Sequence, residues 1–482
     1  MTSIIVWLPI AGLAAVLLTP RARPAVAKGV ATAAAGVVLA GAVVLAAGFD
    51  ASSSAPQYLD SRTWIPELGM SYTVGVDGLS MPLILLCTLL VFVAVVSSKI
   101  ETAPRAFYAW LLLLEFSCLG VFAARDWFLL YVFWEIALVP MFFLIGLWGG
   151  PQKARATMAY FLYTLAGSIF MLIGIFAVYL AAEPHTFDMG ALQDASRDWT
   201  AGFQVAPFLA LLAGFAVKIP LFPLHGWLPL AHVQAPTPVS IVLSGVMLKL
   251  GAYGLLRAAE ILPEGIRAVV PVLFVLGLVN IIYGGFLAFR QPDLKALIAF
   301  SSISHMGFVV LGVAALNETG VAGAMLMMVA HGIVTGGLFL LAGLLYQRTK
   351  TYDLAEMGGI GRRAPVLRGL LVLALLASMG LPGLAQFPSE VQVLLGAFEV
   401  FGLAVLVAAF GILVIATFTL RALGSILAED EGGRWSGVAD LRGGELVAAV
   451  PLGLLTVLLG VAPGLAMGMS RRTIETLISG LA

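Results

Sequence analysis

The chain has 482 residues, of which 61% are hydrophobic and only 11% charged, and its 26 Lys and Arg balance 26 Asp and Glu. Soluble domains carry about 25% charged residues, so this composition excludes a soluble enzyme and leaves a polytopic membrane protein. Zero net charge gives no footprint for nucleic acid, and the two cysteines, Cys87 and Cys118 in separate apolar runs, supply neither a disulfide framework nor a zinc or iron–sulfur ligand set.

Taken in chain order, apolar runs of roughly 20 residues each predict an all-α fold of about fourteen transmembrane helices. They cover 3–19, 27–48, 78–97, 105–123, 127–147, 156–181, 206–231, 239–257, 268–289, 294–315, 321–346, 366–398, 402–427 and 446–467. No basic segment precedes the first run, which therefore reads as a retained helix rather than a cleaved signal. The polar stretch 49–77 holds SSS, Pro56 and Pro66 and one basic residue, Arg62. It reads as an outer loop with room for a short hairpin in MSYTVGV.

Loops after odd-numbered helices carry most of the basic residues: Arg21, Arg23, Lys28, Lys99, Arg105, Lys153, Arg155, Arg290, Lys295, Arg348, Lys350, Arg362, Arg363, Arg368, Arg421, Arg434 and Arg442. Loops after even-numbered helices carry Arg62, Arg125, Arg197, Arg257 and Arg267. By the positive-inside rule the odd loops are cytoplasmic and both termini lie outside, in a bacterial inner (plasma) membrane. The seventh helix is interrupted at KIPLFPLHGWLP and the twelfth at GLPGLAQFPSE. A spacing of five helices inverts direction, so helices 4–8 and 9–13 read as an inverted repeat. Matching interruptions in two halves point to a transport site. The predicted units are 1–104 (helices 1–3 with the loop 49–77), 105–257 and 268–427 (the two repeats), and 446–482 (the last helix and tail).

Ionisable groups inside apolar helices are costly and therefore candidates for function. The cations are Lys218 and Lys249. Lys249 lies nine residues from Ser240 and eight from Arg257, so its stem is too far from either helix end to snorkel. The acids are Glu115, Glu135 and Glu390, and the histidines are His305, after SSIS, and His331, in MVAHGIV. Glu135 and Lys218 are expected to face each other, and opening such a pair changes the proton affinity of both. Imidazoles near hydroxyls pass protons. The alternative for each histidine is a satisfied core residue, and for Glu115 or Glu135 a protonated carboxyl that only ties helices together. His225 and His232, at the break and end of the seventh helix, read as an uptake route or as caps. Nothing at helical spacing suggests a metal site.

The stretches LLLLEFSCLGVFAARDWFLLYVFWEIALVPMFFLIGLWGG, KIPLFPLHGWLPLAHVQAPTPVSIVLSGVMLKLGAYGLLR and QPDLKALIAFSSISHMGFVVLG resemble the antiporter-like membrane subunits of respiratory complex I and of Mrp-type antiporters. The likeness spans helices 3 to 13. Glu390, where sister subunits carry lysine, and the lack of a long lateral helix after helix 14 make the chain resemble the subunit M branch of NADH:quinone oxidoreductase. The resemblance implies that Glu135 and Lys218 form a gating ion pair. It also implies that Lys249 is the central proton carrier, His305 a bridging relay and Glu390 the terminal acid. It departs at Leu230 and Gln234, where many members carry acids. It further implies a proton-translocating subunit with no redox centre and no cofactor of its own, driven by other membrane-arm subunits of complex I and seated among neighbouring antiporter-like subunits. The alternatives are a subunit of a multisubunit cation/proton antiporter or of a membrane-bound hydrogenase.

Overall fold

The structure, a computed structural model, describes residues 1–428, 435 and 437–481. Arg434, counted above among the loop cations, lies outside them. Every predicted apolar stretch is helical. The chain runs through α1 (Thr2–Leu18), α2 (Pro24–Ala47), a hairpin of β1 (Gln57–Ile65) and β2 (Met70–Val76), α3 (Met81–Ser97), α4 (Pro104–Ala123), α5 (Trp127–Trp148), α6 (Lys153–Ala181) and a short α7 (Met189–Ala195). The seventh span is α8 (Ala201–Lys218) followed by α9 (Trp227–Gln234), and the eighth is α10 (Thr237–Val242) and α11 (Leu248–Ile261), joined by a π-helical turn at Leu243–Met247. Then come α12 (Pro263–Phe289), α13 (Leu294–Ala314), α14 (Glu318–Thr349), the twelfth span as α15 (Pro365–Ser378) and α16 (Gln386–Phe401), α17 (Leu406–Leu427), α18 (Gly444–Val461) and α19 (Gly464–Leu481).

Burial sorts these helices into a column and a ring. The α10–α11 span and α14 are wholly buried and α13 nearly so (94%), whereas α2, α16–α17 and α18 bury only about a third of their apolar length or less (28%, 28% and 33%). Lipid accepts apolar side chains as readily as protein does, so it is the ionisable Lys249, His305 and His331 that require protein around α11, α13 and α14, while the ring helices expose apolar side chains outward. Close approach within the column depends on glycine. A Cβ on Gly332 of α14 would lie 2.9 Å from the Gly245 carbonyl oxygen of the π turn, so only glycine permits that contact.

The loop 49–77 is more ordered than its composition predicts. β2 pairs antiparallel with β1, from Gln57 opposite Val76 to Ile65 opposite Met70, so the hairpin extends well beyond MSYTVGV. It delivers Asp77 to a buried ion-pair network. The Asp77 carboxylate meets Arg125 at 2.9 Å and Arg257 at 2.5 Å, and Arg257 also meets Glu260 at 2.8 Å. Arg257, read above as a loop residue, is part of α11 and only 1% exposed. Burial alone pushes the Asp77 carboxyl up, but the two guanidinium groups win and hold it down at about 2. A carboxyl held below its unfolded value contributes stability that is present above about pH 4. That stability is lost as pH falls toward about 2. Asp77→Asn leaves Arg257 with Glu260 as its remaining carboxylate and takes from Arg125 its ion-pair partner, and is expected to destabilise the protein by about 1.5–3 kcal/mol. Thermal inactivation of the variant and wild-type proteins at neutral pH measures this. An unchanged midpoint would show the network contributes nothing.

The predicted tail after 467 is a helix. α19 buries Ser470, Thr473, Ile474, Leu477 and Leu481 on one side. This 3–4 spacing marks an amphipathic helix, which a search for uniformly apolar runs passes over. Ser470 Oγ donates to the Gly78 carbonyl at 2.7 Å, and the Gly78 N–H donates to Thr473 Oγ1 at 3.1 Å.

Candidate proton-transfer site

Both predicted interruptions are present, and their freed backbone groups find protein partners, as a low-dielectric interior requires. After α8, Asn280 of α12 accepts from the Phe222 N–H at 2.8 Å and donates to the Pro220 carbonyl at 3.0 Å. Trp227 Nε1 donates to the Val217 carbonyl at 2.9 Å. After α15, His305 Nε2 lies 3.0 Å from the Ser378 carbonyl oxygen. Since a carbonyl only accepts, this nitrogen carries hydrogen, while Nδ1 has no hydrogen-bond partner among the described residues.

The π turn before Lys249 is a local cause with a functional result. A π turn shifts backbone pairing by one residue and leaves a carbonyl without its usual partner. Lys249 Nζ, 0% exposed, donates to the carbonyl of Ser244 inside this turn at 2.7 Å. The same amino group lies 2.6 Å from His331 Nδ1. The Gly245–Gly332 approach, each glycine next to one of these partners in sequence, brings α14 near enough for that contact. His331 and His305 follow ring to ring, with centroids 5.5 Å apart. His331 Nε2 and His305 Nδ1 are both buried, and neither has a hydrogen-bond partner among the described residues. Ser244 and Ser302 hydroxyls meet at 3.2 Å beside this line.

Glu390, 2% exposed on α16, stands at the far side of the second break. Gly380, at φ +74°, lies under it, and a Cβ there would come within 2.2 Å of Glu390 Oε2. Gly380→Ala therefore adds backbone strain of about 1 kcal/mol or more and displaces the carboxylate. Proton pumping by the assembled protein is expected to fall while the amount assembled changes less. Pumping equal to wild type would show that the carboxylate's seat over Gly380 is immaterial.

The structure does not pair Glu135 with Lys218. No ion pair joins them, although Glu135 lies within electrostatic reach. The amino group of Lys218, 2% exposed at the end of α8, sits in an aromatic cage. It is 3.5 Å from Tyr160 Oη and 5.4 and 5.6 Å from the Tyr160 and Trp134 ring centres. Glu135 follows Trp134 on α5, is half-buried, and leaves Oε1 without a hydrogen-bond partner. α6 packs against both α5 and α8, and the rings of Trp134 and Tyr160 stand beside the amino group where Glu135 was expected. Glu115 is fully buried on α4 with both carboxyl oxygens unpartnered and makes no hydrogen bond to the lysine–histidine line.

Sequence reasoning missed Tyr160 and Asn280, which carry no charge to signal them. It also misplaced Lys295, read as a loop residue. Lys295 is 5% exposed on α13 and donates to the Val233 and Ala235 carbonyls at 3.3 and 2.6 Å, tying down the end of α9. His232 is fully buried and stacked on Phe339 at 4.5 Å, with both ring nitrogens unpartnered, so it caps nothing. His225 packs against Phe222 and Tyr283. Gln234 accepts from the Gln152 N–H at 2.9 Å and so latches the α5–α6 turn, a neutral role at a position where an acid was the common alternative.

Residues 124–416 match the family described as NADH:quinone oxidoreductase/Mrp antiporter, transmembrane region. The chain belongs to this family. It is 38% identical over 483 residues to NADH-quinone oxidoreductase subunit M of Rhodobacter capsulatus, covering 96% of this chain and 93% of that one. It is 39% identical over 431 residues to NAD(P)H-quinone oxidoreductase chain 4 of a Nostoc species, covering 86% and 79%. A chain of the respiratory complex I of Thermus thermophilus superposes over the full length of both, with a TM-score of 0.92 and 32% identity. The family match includes both interrupted spans and the residues Lys249, His305, His331 and Glu390.

Proposed function

We propose that this chain is a proton-translocating membrane-arm subunit of an NADH:quinone oxidoreductase. Its charged column responds to redox chemistry performed in other subunits, among them neighbouring antiporter-like subunits. The observation that carries the reading is the Lys249–His331 contact at 2.6 Å, inside a column continuous with His305 and the second helix break. In this reading the Lys249 ammonium donates to His331 Nδ1, and His331 releases the proton it holds on Nε2. That proton passes to His305 Nδ1, and His305 releases its own from Nε2 toward the break, where Glu390 accepts. Each histidine ends with the opposite tautomer and must reset before the next cycle. Lys218, held by Tyr160 and Trp134, moves its charge toward or away from Glu135 to set when Lys249 loads. Glu115 remains a candidate for tuning that field. The halves 105–257 and 268–427 act as inverted repeats, the loops after odd helices face the cytoplasm and both termini face outward across a bacterial inner membrane. No redox centre is assigned to this chain.

The complex purified with its partners and reconstituted into vesicles tests the reading. NADH oxidation by quinone is expected to build a pH gradient without sodium. A gradient that forms only with sodium, or a preparation that exchanges cations without oxidising NADH, would establish the antiporter function instead.

A further inference from the structure

We infer that Met467 is a site of reversible oxidation by hydrogen peroxide, and that its sulfoxide tightens α19 against α16. One side of α16 presents polar groups to methionine sulfur. The side chains of Gln386 and Ser389 reach Met327 Sδ of α14 at 4.0 and 3.6 Å. One turn on, Gln392 Nε2 donates to Met467 Sδ of α19 at 3.2 Å. Gln392 Oε1 is buried with no hydrogen-bond partner among the described residues, so the sulfur is what holds this amide. The two sulfurs differ in access. Met327 is 0% exposed. Met467 lines a cavity of about 550 Å³ between the start of α14, α16 and α19, in company with the charged Glu318 and Arg471. Gly464 and Gly468 line the same cavity, and a Cβ on either would meet nothing within 4 Å, so the first turns of α19 leave open space around the thioether. Met469, two residues on, lines an apolar groove with leucines of α3 and α18 instead.

In the reaction a lone pair of Met467 Sδ attacks one peroxide oxygen. The O–O bond breaks, an S–O bond forms, sulfur gives up two electrons and the other oxygen leaves as water. Methionine sulfoxide reductases reverse the step with electrons from thiols. A thioether is a weak hydrogen-bond acceptor, whereas the sulfoxide oxygen is polar and accepts strongly. The Gln392 N–H therefore exchanges a weak partner for a strong one, and the cavity gives the added oxygen room. The consequence lies in what α19 holds. Ser470, one turn beyond Met467, and Thr473 fasten the turn at Gly78. The Gln392–Met467 contact thus ties α16 to the outer hairpin through α19, and oxidation strengthens that tie. Lys249, His331 and His305 take no part in it, so the assignment stands independently of the proposed proton path.

Hydrogen peroxide applied to the intact complex, followed by peptide mass spectrometry, tests this. Met467 is expected to gain one oxygen atom at doses that leave Met327 unmodified. Amide hydrogen exchange across 464–473 should then slow roughly fivefold, the worth of one neutral hydrogen bond, and a mixture of the two methionine sulfoxide reductases should restore the original rate. Gln392→Leu should abolish the slowing but not the oxidation, and Met467→Gln should slow exchange without peroxide. Oxidation of Met327 as fast as Met467, no oxygen on Met467 at a dose that oxidises the exposed Met1, or exchange unchanged or faster after oxidation would each overturn the assignment. The peroxide and reductase arms use the wild-type complex and decide the question even if a variant does not assemble.

Discussion

Lys249→Arg is expected to reduce proton pumping by about a hundredfold or more, although it preserves the positive charge. Arginine keeps its proton under all physiological conditions, so it fills the site without ever loading or releasing. Its planar fork also differs in shape from an amino group that donates to the Ser244 carbonyl and meets His331 Nδ1 at one point. Lys249→Ala should fail equally but assemble well, since removing a charge from mid-membrane lowers an insertion cost of about 2.5–3.5 kcal/mol. The measurements are the amount of complex in the membrane and the NADH-driven pH gradient. Normal pumping by the Arg variant would remove Lys249 from the proton path. His331→Gln offers a second test at the same contact. It keeps a polar side chain but cannot relay, and it should resemble Lys249→Ala.

Glu390→Gln is expected to depress quinone-linked NADH oxidation as well as pumping. Glutamine keeps the size and polarity of the carboxyl above Gly380 but does not ionise. A coupled machine stalls when one proton step stalls, so electron transfer should slow in parallel. Glu390→Lys should be milder, because lysine also titrates, though its longer stem must fit beside Gly380. Oxidation unchanged while the gradient is lost would mean that this chain slips and is not tightly coupled.

The spans were legible because apolar length is a one-dimensional signal. The two interruptions were legible because Pro220, Pro223, Gly380 and Pro382 interrupt helical pairing whatever surrounds them. The column was legible through Lys249, His305, His331 and Glu390, whose burial is too costly to be incidental. Contacts that depend on helix rotation were not legible. The cage around Lys218 uses Tyr160 and Trp134, two aromatic residues among many, and the expected Glu135 contact is displaced by them. The π turn at Leu243–Met247 has no proline to announce it. Arg257 and Lys295 were read as loop cations because each lies near a helix end, yet a neighbouring carboxylate in one case and free carbonyls in the other draw them inward. The α19 helix hid behind Arg471 and Arg472, which break an apolar run without breaking a helix.

The latch between Gly78 and α19 joins positions 395 residues apart. The turn that seats Asp77 beside Arg125 and Arg257 is thus fastened by nearly the last helix to be made. At about 5–20 residues per second, the ribosome needs roughly 20–80 s to reach Thr473 after Gly78 emerges. During that interval the hairpin and the opening helices lack this fastening. The order of synthesis therefore sets the order of fastening. A chain cut before α19 should insert its earlier spans and hold the turn at Asp77 less firmly.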